Sequence, residues 1–186
     1  MDGLSRLCLN GKPYFFHGLL DQGYWPEGLL TYPCDEAAID ELQMLKDMGF
    51  NTVFLQVRPN ADSMYPSDHY PMSKYVVGSY GKVADYDPVT MIVDKAHALG
   101  LSIHAWINPM RAMTTDEIAK VSNDYLIKQW YKDKETKGKY VVANGSNYYL
   151  NPAYEDVRKL IIDGAIKLFE GIIKAIPQII VAVVKA

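Results

Sequence analysis

The chain has 186 residues, of which 49% are hydrophobic and 22% are charged, and these values exclude an intrinsically disordered or collagen-like protein. The net charge of -3, with no Lys/Arg cluster to offset it, argues against a nucleic-acid partner. Two cysteines, Cys8 and Cys34, are too few for a disulfide framework or a four-ligand zinc site of their own.

The first predicted element is a buried strand over residues 14–20, a short apolar run between polar and turn-forming residues. A loop rich in Gly, Pro and aromatic residues follows it. Asp35 then fits the N-cap of a helix whose apolar residues recur at helical spacing from Ala38 to Met48. Gly49 is expected to end that helix.

The same order of elements then repeats. Residues 52–57 are rich in β-branched side chains and predict a second strand, which a long loop over 58–86 follows. Asp87 and Pro88 are the expected cap and first residue of a helix that ends at Gly100. A third strand is predicted over 101–107.

Alternation of strand and helix, with a glycine between each helix and the next strand, is typical of a parallel sheet. The long loops follow the carboxyl ends of the strands, where function is expected. A full barrel has eight strands and about 250 residues. We therefore predict an α/β fold of partial TIM-barrel-like (βα) units with parallel strands, truncated relative to a full eight-stranded barrel.

The region from 114 to 146 is polar and weakly helical around 116–130, and its Lys132–Lys139 run predicts a solvated surface. Residues 148–152 predict a short extended segment. A long amphipathic helix is expected over 154–169.

The apolar C-terminus predicts a separate segment. Residues 179–184 have β-branched character and could form a fourth parallel strand if Pro177 ends the long helix. We divide the chain into a (βα) domain over 1–170 and an apolar helix or strand over 171–186. The apolar stretch falls short of the roughly 20 residues that a membrane-spanning helix needs. No secretory signal opens the chain, so a cytoplasmic location is expected.

Polar and aromatic side chains collect at the predicted carboxyl ends of the strands. Such a pocket suits a carbohydrate, whose hydroxyl groups need many donors and acceptors and whose C–H faces stack on indole rings. Asp21 and Asp62 are the candidate catalytic carboxylates, because glycosidases usually use a pair. The candidate substrate-binding residues are Trp25, Gln56, Arg58, Asn60, Tyr65, His104, Trp106, Asn108 and Arg111.

Each candidate also has a structural interpretation. Asp21 can cap a loop, and Asp62 can pair with Arg58 to hold one. His104 on an interior strand is typical of a hydrogen-bonded core histidine, and Trp106 can be core as well as a sugar platform. Motifs for metal, phosphate-loop, dinucleotide or serine-hydrolase chemistry are missing, so we expect no cofactor and no metal.

A dense set of segments resembles the glycosyl-hydrolase-like family 10 barrel over about residues 50–165. The resemblance implies a TIM-type barrel and hydrolysis of glycosidic bonds, with peptidoglycan-type glycans among the substrates to consider. The segments are Asn51–Asp62, Tyr65–Ser67, Ser73–Tyr75, Gly81, Tyr86–Pro88, Ala96–His97, Gly100–Leu101, His104–Pro109, Arg111, Tyr149–Pro152 and Val157–Arg158.

Two further resemblances make the chain look like a mosaic. About residues 4–51 are similar to the start of the glycoside hydrolase family 2 barrel, and about 162–186 weakly resemble the apolar helices of phage tail tape-measure proteins. The chain lacks the later strands of both barrels, so neither family's full catalytic pair carries over. The alternative to a glycosidase is a non-catalytic glycan-binding or structural unit, with homo-oligomers formed through the C-terminal apolar segment.

Overall fold

The computed structural model describes residues 8–9, 12–13, 18–19, 36–172 and 179–181. Its strands and helices, in chain order, are β1 (Cys8–Leu9), β2 (Lys12–Pro13), β3 (Gly18–Leu19), α1 (Glu36–Asp47), β4 (Thr52–Arg58), α2 (Lys74–Val77), α3 (Pro88–Ala98), β5 (Ser102–Ile107), β6 (Arg111–Thr114), α4 (Thr115–Lys120), α5 (Leu126–Lys132), β7 (Val141–Asn144), β8 (Asn147–Leu150), α6 (Glu155–Ile172) and β9 (Ile179–Val181).

A four-stranded parallel sheet forms the centre of the described chain, in the order β3-β4-β5-β9. The fold is therefore α/β with parallel strands, as the alternation of elements predicts. The C-terminal segment supplies β9, which pairs with β5 in parallel from Ala105 opposite Ile179. Of the strand predicted over 14–20, the described part is β3, which pairs with β4.

Local signals position the crossover helix α3. Asp87 lies at the N-cap, where its side chain accepts hydrogen bonds from the backbone N–H groups of Val89 and Thr90, and Pro88 is the first helical residue. Beyond the end of α3, Gly100 has a φ of 67°. This left-handed conformation suits glycine and turns the chain directly into β5.

The two faces of the sheet differ in what covers them. On one face, the odd-numbered side chains of β4 and β5 join a core with α3 and with Leu168 of α6. The members of that core on the two strands are Leu55, Val57, Ile103, Ala105 and Ile107. On the other face, Phe54, Gln56 and Trp106 are only half-buried.

The segment between β5 and α6 is a small subdomain with its own core. It contains an antiparallel sheet, ordered β6-β8-β7, together with α4 and α5. Met113, Ile118, Ile127, Trp130 and Leu150 are buried within a second hydrophobic cluster. Within the region predicted to be polar and weakly helical over 114–146, Ile118, Ile127 and Trp130 thus belong to a buried core. The Lys132–Lys139 run is exposed apart from the half-buried Thr136 and so matches its predicted solvated surface.

Helix α6 continues without a break through the predicted boundary between residues 170 and 171, to Ile172. The division into 1–170 and 171–186 stays a prediction. None of the helices in the described part of the chain combines the length and apolarity that a bilayer crossing requires.

Candidate functional site

Two rows of paired side chains lie on the half-open face of the sheet, on β4 and β5. Phe54 is in register with His104, and Gln56 with Trp106. The rings of Phe54 and His104 stack with centroids 5.1 Å apart and planes 22° from parallel. Because Gln56 and Trp106 lie nearer the carboxyl ends of their strands, they present an amide and an indole side by side at the expected functional edge.

A hydrogen bond connects the indole of Trp106 to the side chain of Asn108. The indole Nε1–H donates to Oδ1 of Asn108 at 3.1 Å. The Asn108 side-chain Nδ2 donates to the carbonyl of Pro59 at 3.0 Å, and its backbone N–H donates to the carbonyl of Arg58 at 2.9 Å. The end of β5 is therefore tied to the first residues of the loop that follows β4.

The carboxylate of Asp62 lies inside that loop and is fully buried. One oxygen accepts the backbone N–H of Asn60 at 2.8 Å, and the other accepts the hydroxyl of Tyr80 at 2.7 Å. Burial raises the pKa of Asp62 above its ordinary value of 3.8, against the hydrogen bonds that lower it. These contacts organise the loop, and a catalytic role for Asp62 stays a prediction that requires the loop to open.

Arg58 and Tyr65 are also buried. The Arg58 guanidinium lies over the ring of Tyr70, with Cζ 4.6 Å from the ring centroid, and forms no ion pair with Asp62 within the described chain. The structural alternative of an Asp62–Arg58 pair is therefore wrong. Burial raises the pKa of Tyr65 to about 12, so its hydroxyl is protonated at neutral pH.

His104 is buried, with its Nε2 3.2 Å from the hydroxyl of Ser102. Burial lowers its pKa below the ordinary value of 6.5, which favours a neutral imidazole at neutral pH. This placement agrees with the core interpretation of His104. Its contact with a substrate stays a prediction.

The other predicted residues divide between the surface and the loop interior. Arg111 is exposed at the start of β6, where it is in register with Tyr149 of β8. Asn60 is buried and donates from Nδ2 to the Tyr80 hydroxyl at 3.3 Å. The structure thus brings Gln56, Trp106 and Asn108 together at an accessible edge. Asp21 and Trp25 lie outside the described residues.

The sequence interpretation omitted several residues that shape this edge. Phe54 carried a usable signal, since alternation along β4 places it on the same face as Gln56. Tyr80 carried none, because it reaches Asp62 from 18 residues away in sequence. Lys74, which forms an ion pair with Glu117 and ties the loop after β4 to the subdomain, also lacked a local pattern.

No group of three or more His, Cys, Asp or Glu side chains within the described ranges is arranged to hold a metal ion. The polar groups at the accessible edge are instead the side-chain amides of Gln56 and Asn108 and the indole N–H of Trp106. Such groups donate and accept hydrogen bonds toward an uncharged polar ligand.

The described chain is an α/β domain with a polar and aromatic edge at the carboxyl ends of its parallel strands and a subdomain inserted after β5. The chain belongs to the family described as Glycosyl hydrolase-like 10, which matches residues 27–171. The predicted resemblance over about 50–165 falls inside this match and is confirmed.

Two curated relatives of the chain are named as glycosyl hydrolases. The chain is 33% identical over 143 residues to the glycosyl hydrolase YngK of Bacillus subtilis (strain 168), covering 75% of the chain and 27% of YngK. It is 31% identical over 125 residues to the glycosyl hydrolase DigH of Escherichia coli (strain K12), covering 66% of the chain and 28% of DigH. The chain therefore spans about a quarter of the length of these relatives.

Solved structures show the same fold at low sequence identity. The γ-CGTase of alkalophilic Bacillus clarkii superposes with a TM-score of 0.51 at 19% identity, covering 82% of this chain and 26% of that one. The maltogenic α-amylase AmyB of Thermotoga neapolitana gives 0.50 at 16% identity, covering 84% and 37%.

The other two resemblances stay predictions. The family match begins at residue 27, so it includes residues 27–51 of the segment that resembles glycoside hydrolase family 2. It likewise includes the first part of the segment that resembles tape-measure helices. The mosaic interpretation is not needed to explain residues 27–171.

Proposed function

We propose that this chain forms part of a (βα) barrel that binds a glycan across the carboxyl ends of β4 and β5, in a protein that hydrolyses O-glycosidic bonds. The observation that carries the proposal is the pairing of Gln56 with Trp106 on the half-open face. A half-buried indole offers a flat apolar surface to the C–H face of a sugar ring, and the neighbouring amide can bond its hydroxyl groups.

Hydrolysis requires catalytic groups in addition to a binding surface. Glycosidases use two carboxyl groups separated by roughly 5–10 Å across the scissile bond. Asp62 is enclosed by its loop, and Asp21 lies outside the described residues. Binding is therefore the activity that the described geometry supports directly, and hydrolysis is inferred from the family.

The proposal predicts that Trp106→Ala weakens glycan binding by about tenfold, which corresponds to about 1.4 kcal/mol of lost stacking and desolvation. Isothermal titration with maltohexaose, cellohexaose and chitohexaose measures the affinity for α-linked, β-linked and N-acetylated glycans. Trp130→Phe is the matched control, because Trp130 is buried in the subdomain core and its replacement leaves the edge unchanged.

If none of the three oligosaccharides binds the wild-type chain, or if Trp106→Ala binds as the wild type does, the edge is not a glycan site. Release of reducing ends, compared among the wild type, Asp21→Asn and Asp62→Asn, separates hydrolysis from binding.

A further inference from the structure

Asn108 connects the indole of Trp106 to a second element of the fold. Its side-chain oxygen accepts the indole N–H, and its side-chain nitrogen donates to the carbonyl of Pro59. Pro59 belongs to the buried loop that Asp62 organises, and it lies 49 residues from Asn108 in sequence. One amide therefore joins the ring on β5 to the loop after β4.

This connection matters because protein covers the Trp106 side chain only in part. Trp106 is half-buried, so solvent rather than protein covers part of the indole. A partly solvated side chain loses rotamer freedom when a ligand fixes it, and that loss weakens binding. A hydrogen bond that fixes the ring beforehand removes part of this loss.

The two ends of the Asn108 amide are not interchangeable. The indole nitrogen is only a donor and the Pro59 carbonyl is only an acceptor, so the position requires a side chain that accepts on one side and donates on the other. Among side chains of this length, asparagine meets that requirement at neutral pH, whereas aspartate meets it only when it is protonated. Each end of the amide makes one hydrogen bond within the protein. Contact of Asn108 with a substrate stays a prediction.

We propose that Asn108 is a positioning residue, which fixes the orientation of the Trp106 indole for glycan binding by anchoring it to the Pro59 carbonyl. The inference rests on the proposed function for its consequence in binding. The anchoring itself is a property of the free protein and can be measured without a glycan.

The first experiment follows the indole N–H of Trp106 by NMR, with its resonance assigned by the loss of a signal in Trp106→Phe. In the wild type, the hydrogen bond slows exchange of this proton with solvent. We expect Asn108→Leu, which is similar in size and lacks both polar groups, to speed exchange by about tenfold, the factor that corresponds to a typical hydrogen bond. The indole N–H of Trp130 is the internal control and is expected not to change.

The second experiment uses Asn108→Asp and titrates maltohexaose, cellohexaose and chitohexaose at pH 4 and at pH 7. At pH 7 the carboxylate still accepts the indole N–H, but its second oxygen faces the Pro59 carbonyl without a proton. We expect affinity about tenfold below that of the wild type at pH 7 and within about twofold at pH 4, where a protonated carboxyl donates to Pro59. Affinities are taken as ratios to the wild type at each pH, and Asn108→Leu is expected to be weak at both.

The two experiments test the anchoring of the indole and its consequence for glycan binding separately. If exchange of the Trp106 indole proton is unchanged in Asn108→Leu, the anchoring is wrong. If the affinity of Asn108→Asp relative to the wild type is the same at pH 4 and pH 7, the proposed need for a donor toward the Pro59 carbonyl is wrong. If the wild-type chain binds a glycan and Asn108→Leu binds it equally well, this inference fails while the proposed function stands. If the wild type binds none of the three glycans, the proposed function and the binding consequence fail together, and the exchange experiment still decides the anchoring.

Discussion

A buried carboxylate must either take up a proton or accept hydrogen bonds, and the loop after β4 supplies such hydrogen bonds to Asp62. Its oxygens accept the Asn60 N–H and the Tyr80 hydroxyl, so the group is enclosed by donors from both ends of the loop. Transferring an ionised carboxyl out of water without such donors carries a large free-energy cost. The same enclosure that permits the burial keeps the carboxyl away from the accessible edge near Trp106.

The raised pKa of Asp62 predicts a particular dependence of stability on pH. A carboxyl with a higher pKa in the folded state binds protons more tightly when folded, so the free energy of unfolding falls as pH rises through the window that begins at its ordinary value of 3.8. In Asp62→Asn this dependence is expected to disappear. Urea unfolding of both proteins between pH 3 and 7, with the difference between them plotted against pH, measures it.

A comparison with Asp62→Ala tests the loop-organising role itself. Removing the acceptor leaves the buried Tyr80 hydroxyl and the Asn60 N–H unsatisfied, and we expect a loss of about 2–3 kcal/mol. Asp62→Asn keeps one acceptor and is expected to lose less. If the alanine and asparagine variants are both as stable as the wild type at pH 7, the carboxyl does not organise the loop.

At the scale of elements, α6 and the loop after β4 approach each other closely at a glycine. The ring of Tyr70 lies between Arg58 and α6, and the Tyr70 hydroxyl donates to the Leu160 carbonyl at 3.1 Å. A Cβ atom at Gly164 would lie 2.2 Å from the Tyr70 ring and 3.0 Å from Nη1 of Arg58. The helix packs at this distance because residue 164 has no side chain.

Gly164→Ala is therefore expected to destabilise the chain, although alanine favours a helix by about 1 kcal/mol over glycine. The Tyr70 ring is fully buried, and overpacking against such a ring costs roughly 1–3 kcal/mol. Thermal or urea unfolding measures the change. Tyr70→Leu should relieve the clash and make Gly164→Ala neutral or stabilising, whereas Tyr70→Phe keeps the ring and should leave the cost in place.

The elements that sequence could predict are those defined by local signals. The Asp87–Pro88 start of α3 and the apolar alternation of β4 and β5 act within a few residues, and the structure follows them. The subdomain core escaped prediction because its buried residues come from short elements without a sustained period, so that Met113, Ile127 and Leu150 meet only after folding.

At the scale of the whole molecule, the candidate site lies on the face of the sheet that is left half-exposed. Helices cover one face through Leu55 and Ile103, and the face with Gln56 and Trp106 is left half-exposed. In a closed barrel that second face points into the barrel, and its carboxyl edge forms the mouth. Sequence could predict which residues share this edge, because parallel strands align their carboxyl ends, but not which of them the loop would bury.

The outer edge of the sheet bears on how the chain assembles, because β9 pairs with β5 directly beside the Trp106 position. An uncovered strand presents unpaired backbone groups that recruit another chain, so β9 protects β5 in the described structure. Deletion of residues 173–186 is expected to increase hydrogen exchange across residues 105–107, while β4, which lies between β3 and β5, keeps its protection. Hydrogen–deuterium exchange of peptides over 52–58 and 102–107 measures this, and equal loss in both would mean that the tail supports the entire sheet instead.

Sedimentation of the same two proteins tests the alternative that the apolar tail drives oligomerisation, since a monomer in both forms would eliminate it, whereas association that depends on the tail would support it.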